Sequence, residues 1–275
     1  MSIAGRVEEI AAEFEGEISL AAKDLGTGET IGLHPARKCA TASVIKLPIL
    51  VHALLLAEEG LLDLDAPLEL KESDKTPGSG ILTLLSAGLR ITKRDACVLM
   101  TALSDNTATN MLLDGVGIEP VNERMRALGL RDTLLFRKVF STGKPVSAAN
   151  HKYGLGVTTP RDMLRLLCAI HAGEVGSEET SARIRSILGR QQHRDSIPRL
   201  LPSGVKFQGK SGAIDAARND VGIVTLEDGR EIAMAIFCQK IPRPLWTSDN
   251  PGHLAIARLA REVIRHFAPD AALPA

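Results

Sequence analysis

Three short polar motifs hold residues able to move a proton or accept an acyl group. The first is Ser43-Val44-Ile45-Lys46. Residues three apart on a helix lie on one face about one turn from each other, so this spacing sets an amine beside a hydroxyl. A serine hydroxyl is a weak nucleophile until a neighbouring base takes its proton, and a lysine becomes that base when burial lowers its pKa. A helix start adds partial positive charge and free amide donors where an oxyanion would form. Taken alone, the same four residues read more simply as a serine cap followed by a surface lysine. The second motif, Ser104-Asp105-Asn106, sits between the apolar runs Val98-Leu99-Met100 and Met111-Leu112-Leu113. It suits a helix N-cap, or a proton relay through Ser104 with Asn106 gripping a substrate carbonyl. The third, Lys210-Ser211-Gly212, would pass by itself for an ordinary turn.

These motifs need elements to position them. Apolar residues at helical spacing predict an N-terminal helix over 3–14, and residues 17–25 and 29–33 read as two strands around Gly26-Thr27-Gly28. From about 41 to 190 the periodicity is helical, at 43–59, 93–103, 107–113, 119–128 and 160–171. Strand signals return at 217–226 and 231–239, and a closing helix spans 253–267. The expected fold class is α+β, an antiparallel sheet built from both termini with an all-helical lobe inserted between its halves. It makes a single domain over 1–275, with an α/β lobe of about 1–36 plus 205–275 and a helical lobe of about 37–204. The cleft between the lobes is the natural site. The least regular segment, 137–159, is long enough for a loop with a function.

Bulk properties narrow the partners. Of 275 residues, 44% are apolar, and 33 basic residues balance 33 acidic ones, so no net field attracts nucleic acid or an anionic membrane. A small-molecule substrate and a monomer are expected. The longest apolar run, 47–57, contains Pro48 and His52 and is too short to span a bilayer. The start, Met1 to Glu9, has neither the basic residues nor the apolar run of a leader, so the chain as written reads as cytoplasmic, or as periplasmic or secreted if a leader has been removed. Cys39, Cys97, Cys168 and Cys238 lack ligand spacing and read as buried free thiols. Neither GxGxxG nor HExxH occurs, so no metal, nucleotide or flavin cofactor is expected.

In this order, the three motifs resemble the SxxK, SDN and KTG set of class A β-lactamases and penicillin-binding proteins, with Ser211 in the middle of the third. The resemblance runs from Leu25-Gly26-Thr27-Gly28-Glu29 through Ser43 to Pro48 and Ser104 to Asn110, then to Thr158-Thr159-Pro160-Arg161-Asp162-Met163 and Lys210-Ser211-Gly212. It implies Ser43 as the acylated nucleophile and Lys46 as its proton acceptor, directly or through water. It further implies Ser104 as the donor to the departing amine with Lys210 tuning the potential beside it, and the amides of Ser43 and Ala213, after Gly212, as the oxyanion hole. Asn106 and the strand edge would hold the substrate amide, and Ser211 and Arg218 its carboxylate.

One part of the pattern is missing. Class A members carry a glutamate in the loop before the Thr-Thr-Pro helix, where it positions the deacylating water. Counting back from Thr159-Pro160 puts the equivalent position within Ser141 to Gly143, and no Asp or Glu lies between Asp132 and Asp162. Three outcomes stay open: a β-lactamase with altered deacylation, a peptidase or esterase acting on D-Ala-D-Ala-like acyl groups, or a penicillin-binding module without useful turnover.

Overall fold

The computed structural model describes residues 2–271, and the outermost residues of the expected domain, 1 and 272–275, lie outside them. Helix α1 (Ile3–Glu13) leads into strands β1 (Glu17–Asp24) and β2 (Thr30–Leu33), the short β3 (Cys39–Ala40) and helix α2 (Lys46–Glu58). Strands β4 (Pro67–Glu69) and β5 (Arg90–Thr92) precede α3 (Lys93–Ala102), α4 (Asn106–Val116) and α5 (Ile118–Ala127). Then come β6 (Leu134–Leu135), α6 (Ala148–Tyr153), β7 (Gly156–Thr158), α7 (Pro160–His171) and α8 (Glu178–Leu188). The chain closes with β8 (Lys206–Ile214), β9 (Ala217–Thr225), β10 (Glu231–Gln239) and α9 (Pro251–Phe267).

The fold is α+β. Its main sheet runs β2-β1-β10-β9-β8, antiparallel at each pairing. The chain ends meet where β1 pairs β10 from Glu17↔Gln239 to Asp24↔Ile232. Successive side chains of a strand point to opposite faces. Thus Ile232, Met234, Ile236 and Cys238 of β10 pack under α1 and α9, while Ala233, Ala235 and Phe237 face the helical lobe. A strand covered on both faces reads as one unbroken apolar run, which is why β10 was legible.

Helix α2 is the axis of the helical lobe. Its residues from Lys46 to Leu55 are all buried, the pattern of a helix hydrophobic all round. Each such leucine contributes roughly 1.5–3 kcal/mol by leaving water. Two long elements escaped the sequence reading, α8 and β8, and the four cysteines are free, with Cys168 only half-buried.

His52 lies in this core, 2% exposed, and burial holds its pKa below the ordinary 6.5. The unfolded chain therefore takes up a proton below about pH 6.5 that the native state resists, so stability is present above that pH and is lost as pH falls. His52→Leu is expected to lose less stability than the parent between about pH 7.5 and about pH 5.5, read from urea midpoints. Equal losses in both proteins would place the acid sensitivity elsewhere.

Candidate active site

Ser43 does not open the α-helix, as its spacing predicts. It stands in a single 3-10 turn, Ala42–Ile45, and α2 begins at Lys46. Ala42 adopts φ 45°, a left-handed conformation that costs a non-glycine residue of order 1–3 kcal/mol and that clusters at functional sites. The sheet holds this turn. Asn219 Nδ2 on β9 donates to the carbonyls of Ala40 and Thr41 at 2.9 and 3.1 Å. A Cβ on Gly212 would lie 2.7 Å from Thr41 O and 2.9 Å from the Ser43 and Val44 nitrogens, so only glycine lets β8 close onto the turn of Ser43.

Lys46 is fully buried behind Ser43. Its Nζ donates to Ser104 O (2.7 Å), Ser104 Oγ (3.1 Å) and Asn106 Oδ1 (2.8 Å). Burial holds its pKa well below the usual lysine range, the charge of Lys210 adds to the effect, and Asp105 opposes it. The N-cap reading of Ser104-Asp105-Asn106 is met by its middle residue. Asp105 is the N-cap of α4, accepting from Ala108 N, and it also ties down Ile81 N and Leu82 N at 2.7 and 3.0 Å. That leaves Ser104, at φ 55°, and Asn106 to face the lysine.

Lys210 is equally buried on β8, donating to Ser211 O at 2.7 Å. Burial pushes its pKa down, and Asp220 on β9, itself pushed up by burial, partly restores it. Ser43, Ser104, Asn106, Ser211, Gly212, Ala213 and Arg218 all line one cleft of about 1010 Å³ between the sheet and the helical lobe. The two lysines lie behind its wall.

Two expectations change. Arg218 reaches the cleft, but its guanidinium is engaged by backbone carbonyls and covered by Trp246. Of the counted positions Ser141 to Gly143, the loop 137–159 brings Ser141 to the cleft wall. Thr142 and Gly143 are off the cleft wall, and the Ser141 hydroxyl is tied to Arg137 Nε and Lys138 O. Val139 also lines the cleft, pinned at both backbone groups by Asn110: its N donates to Oδ1 (2.9 Å) and its carbonyl accepts from Nδ2 (3.0 Å). Asn110 lies one turn along α4 from Asn106, so this clamp fixes which loop residue meets the site.

The family model of the β-lactamase enzyme family matches residues 2–267. The chain belongs to that family. Among solved structures, the β-lactamase of Sphaerobacter thermophilus is 29% identical with a TM-score of 0.86, covering 98% of each chain. A substituted form of PBP-A, solved as an acyl-enzyme complex with penicillin G, is 25% identical with a TM-score of 0.84, covering 97% of this chain and 96% of its own. The β-lactamase regulatory protein BlaB of Streptomyces cacaoi is 25% identical over 90% of this chain and 93% of its own.

As a serine β-lactamase-like hydrolase, the protein has further cleft residues that sequence reasoning missed. His253 Nδ1 lies 2.7 Å from Ser196 Oγ, and burial, then Arg218, lowers the His253 pKa to about 4. Exposed Phe140 and Trp246 also line the cleft. Both sit in irregular loops where no periodicity points to them, although apolar aromatics left in loops were a usable signal.

Proposed function

We propose that this hydrolase is acylated at Ser43 by β-lactam amides and releases the acyl group by an atypical, slow route. One observation carries the reading: Lys46, unpaired with any acid among the described residues, donates to Ser104 and Asn106 beside the turn of Ser43, while the loop 137–159 brings Val139 and no carboxylate to the cleft wall. In its neutral form Lys46 takes the Ser43 proton as Oγ attacks the carbonyl carbon. The amides of Ser43 and Ala213 receive the oxyanion. The C–N bond then breaks, and the proton passes from Lys46 through the Ser104 hydroxyl to the departing nitrogen, with Lys210 setting the local potential. Asn106 and the β8 edge hold the acyl amide, and Ser211 with Arg218 face the leaving-group end. Water completes the cycle by attacking the ester.

Val139 also supports a second reading, a penicillin-binding module without useful turnover, because an aliphatic side chain cannot activate water. A D-alanyl-D-alanine-type peptidase or esterase would use the same acylation step on another acyl donor.

Intact-mass spectrometry after mixing with a penicillin and with a chromogenic cephalosporin separates these. The expected result is a stoichiometric adduct with a burst of about one equivalent and a slow steady state. Absence of both adduct and hydrolysis would sink the proposal, and a burst-free linear course would remove its slow-release half.

A further inference from the structure

The leaving-group end of the cleft is sealed against charge. Arg218, 1% exposed, is the cation there. Its Nη1 donates to Ile214 O (2.5 Å) and Ala217 O (2.8 Å), and its Nη2 to Leu245 O (2.5 Å). The Trp246 ring lies over it, 4.7 Å from guanidinium carbon to ring centroid, and is itself 64% exposed. From the third side α9 closes in, since a Cβ on Gly252 would lie 2.9 Å from Arg218 Cβ and Cγ.

The segment carrying Trp246 is anchored. Trp246 Nε1 donates to Asp215 Oδ1 at 3.1 Å, Asn250 Nδ2 to Leu245 O at 2.8 Å, and Arg199 to Ser248 O and Asp249 Oδ1. Arg218 Nε is left buried without a hydrogen-bond partner, so a carboxylate reaching the guanidinium must lift the indole that covers it. Among the described residues at this end no other cation substitutes: Lys210 is engaged with Ser211 O behind the wall, and burial keeps His253 and His193 neutral near pH 7. What the cleft offers at this end is an indole face and the hydroxyl of Ser211.

We propose that Trp246 is the specificity-determining residue at this end, screening Arg218 so that the cleft prefers acyl donors that are uncharged and apolar there over donors carrying a carboxylate. This deepens the acylation reading above and rests on it for the substrate class. An indole face binds an apolar ester group through the area it removes from water, whereas a carboxylate placed against it loses hydration without gaining a partner.

The test compares calorimetric binding of benzylpenicillin and benzylpenicillin methyl ester to the Ser43→Ala protein, so the outcome does not depend on covalent chemistry. The ester is expected to bind at least as tightly as the acid. Adding Trp246→Ala is expected to tighten the acid by about tenfold or more, the scale of one charge-assisted hydrogen bond, and to weaken the ester, which loses the indole face. Trp246→Phe, which keeps an aromatic cover, should retain the parent preference. Tenfold tighter binding of the acid by the Ser43→Ala protein, an acid-to-ester ratio unmoved by Trp246→Ala, or no detectable binding of either compound overturns the proposal. Adduct formation by the unsubstituted protein tests the acylation reading separately.

Discussion

Ser43→Ala is expected to abolish the penicillin adduct and reduce hydrolysis on the order of 10⁶-fold, the loss seen when a nucleophile working as one unit with its base is removed. Lys46→Arg is expected to be nearly as severe. A guanidinium keeps the charge but cannot give up a proton near neutral pH. It also cannot reproduce the three contacts that Lys46 Nζ makes to Ser104 O, Ser104 Oγ and Asn106 Oδ1 in a water-free space. The pair is read by intact mass over time, with circular dichroism to show that both variants fold. Full-stoichiometry adduct in Ser43→Ala would move the nucleophile elsewhere, and near-normal acylation in folded Lys46→Arg would restrict Lys46 to an electrostatic role.

Val139→Glu is expected to raise steady-state turnover of penicillin by about 10²–10⁴-fold, the typical contribution of a well-placed general base. Val139 is 9% exposed in the cleft wall, and its backbone is clamped by Asn110, so the new carboxylate starts from a fixed point. Nearby lysines favour its ionised form while burial opposes it. As release accelerates, the burst amplitude should fall. Thr142→Glu, at an exposed position outside the cleft, serves as the control and should leave turnover unchanged. If both variants fold and Val139→Glu still releases the acyl group at the parent rate, the missing carboxylate is not what limits release.

The strands β1, β9 and β10 and the helices α2, α7 and α9 were legible because their apolar residues are either continuous or periodic. Strand β8 was not, because Gly209, Lys210 and Ser211 interrupt it with residues that a strand normally avoids, and a lysine with no exposure leaves no trace in a hydropathy pattern. Helix α8 was lost among the many charged residues of 178–188. Ser43, Lys46 and Ser104, the proposed nucleophile, base and relay, were visible as polar residues in apolar surroundings. Two features were beyond reach. Val139 takes its place from a side-chain clamp made by Asn110, a contact that counting back from Pro160 through a loop of unknown path does not reveal. The condition of Arg218 depends on Leu245 and Trp246, which are distant in sequence and meet it only in the folded chain.

The closure of β8 onto the turn of Ser43, through the missing side chain of Gly212, also gives the protein a birth order. During synthesis the serine, its lysine and Ser104 emerge first, yet the strand that seats them is made late, and β10 must still reach back to β1 before that strand is fixed in its sheet. A nascent chain thus carries its nucleophile for most of its length in an unassembled state. On the acylation proposed at Ser43, reactivity arrives with the final strands, so the last quarter of the chain acts as the safety catch on chemistry encoded before its midpoint.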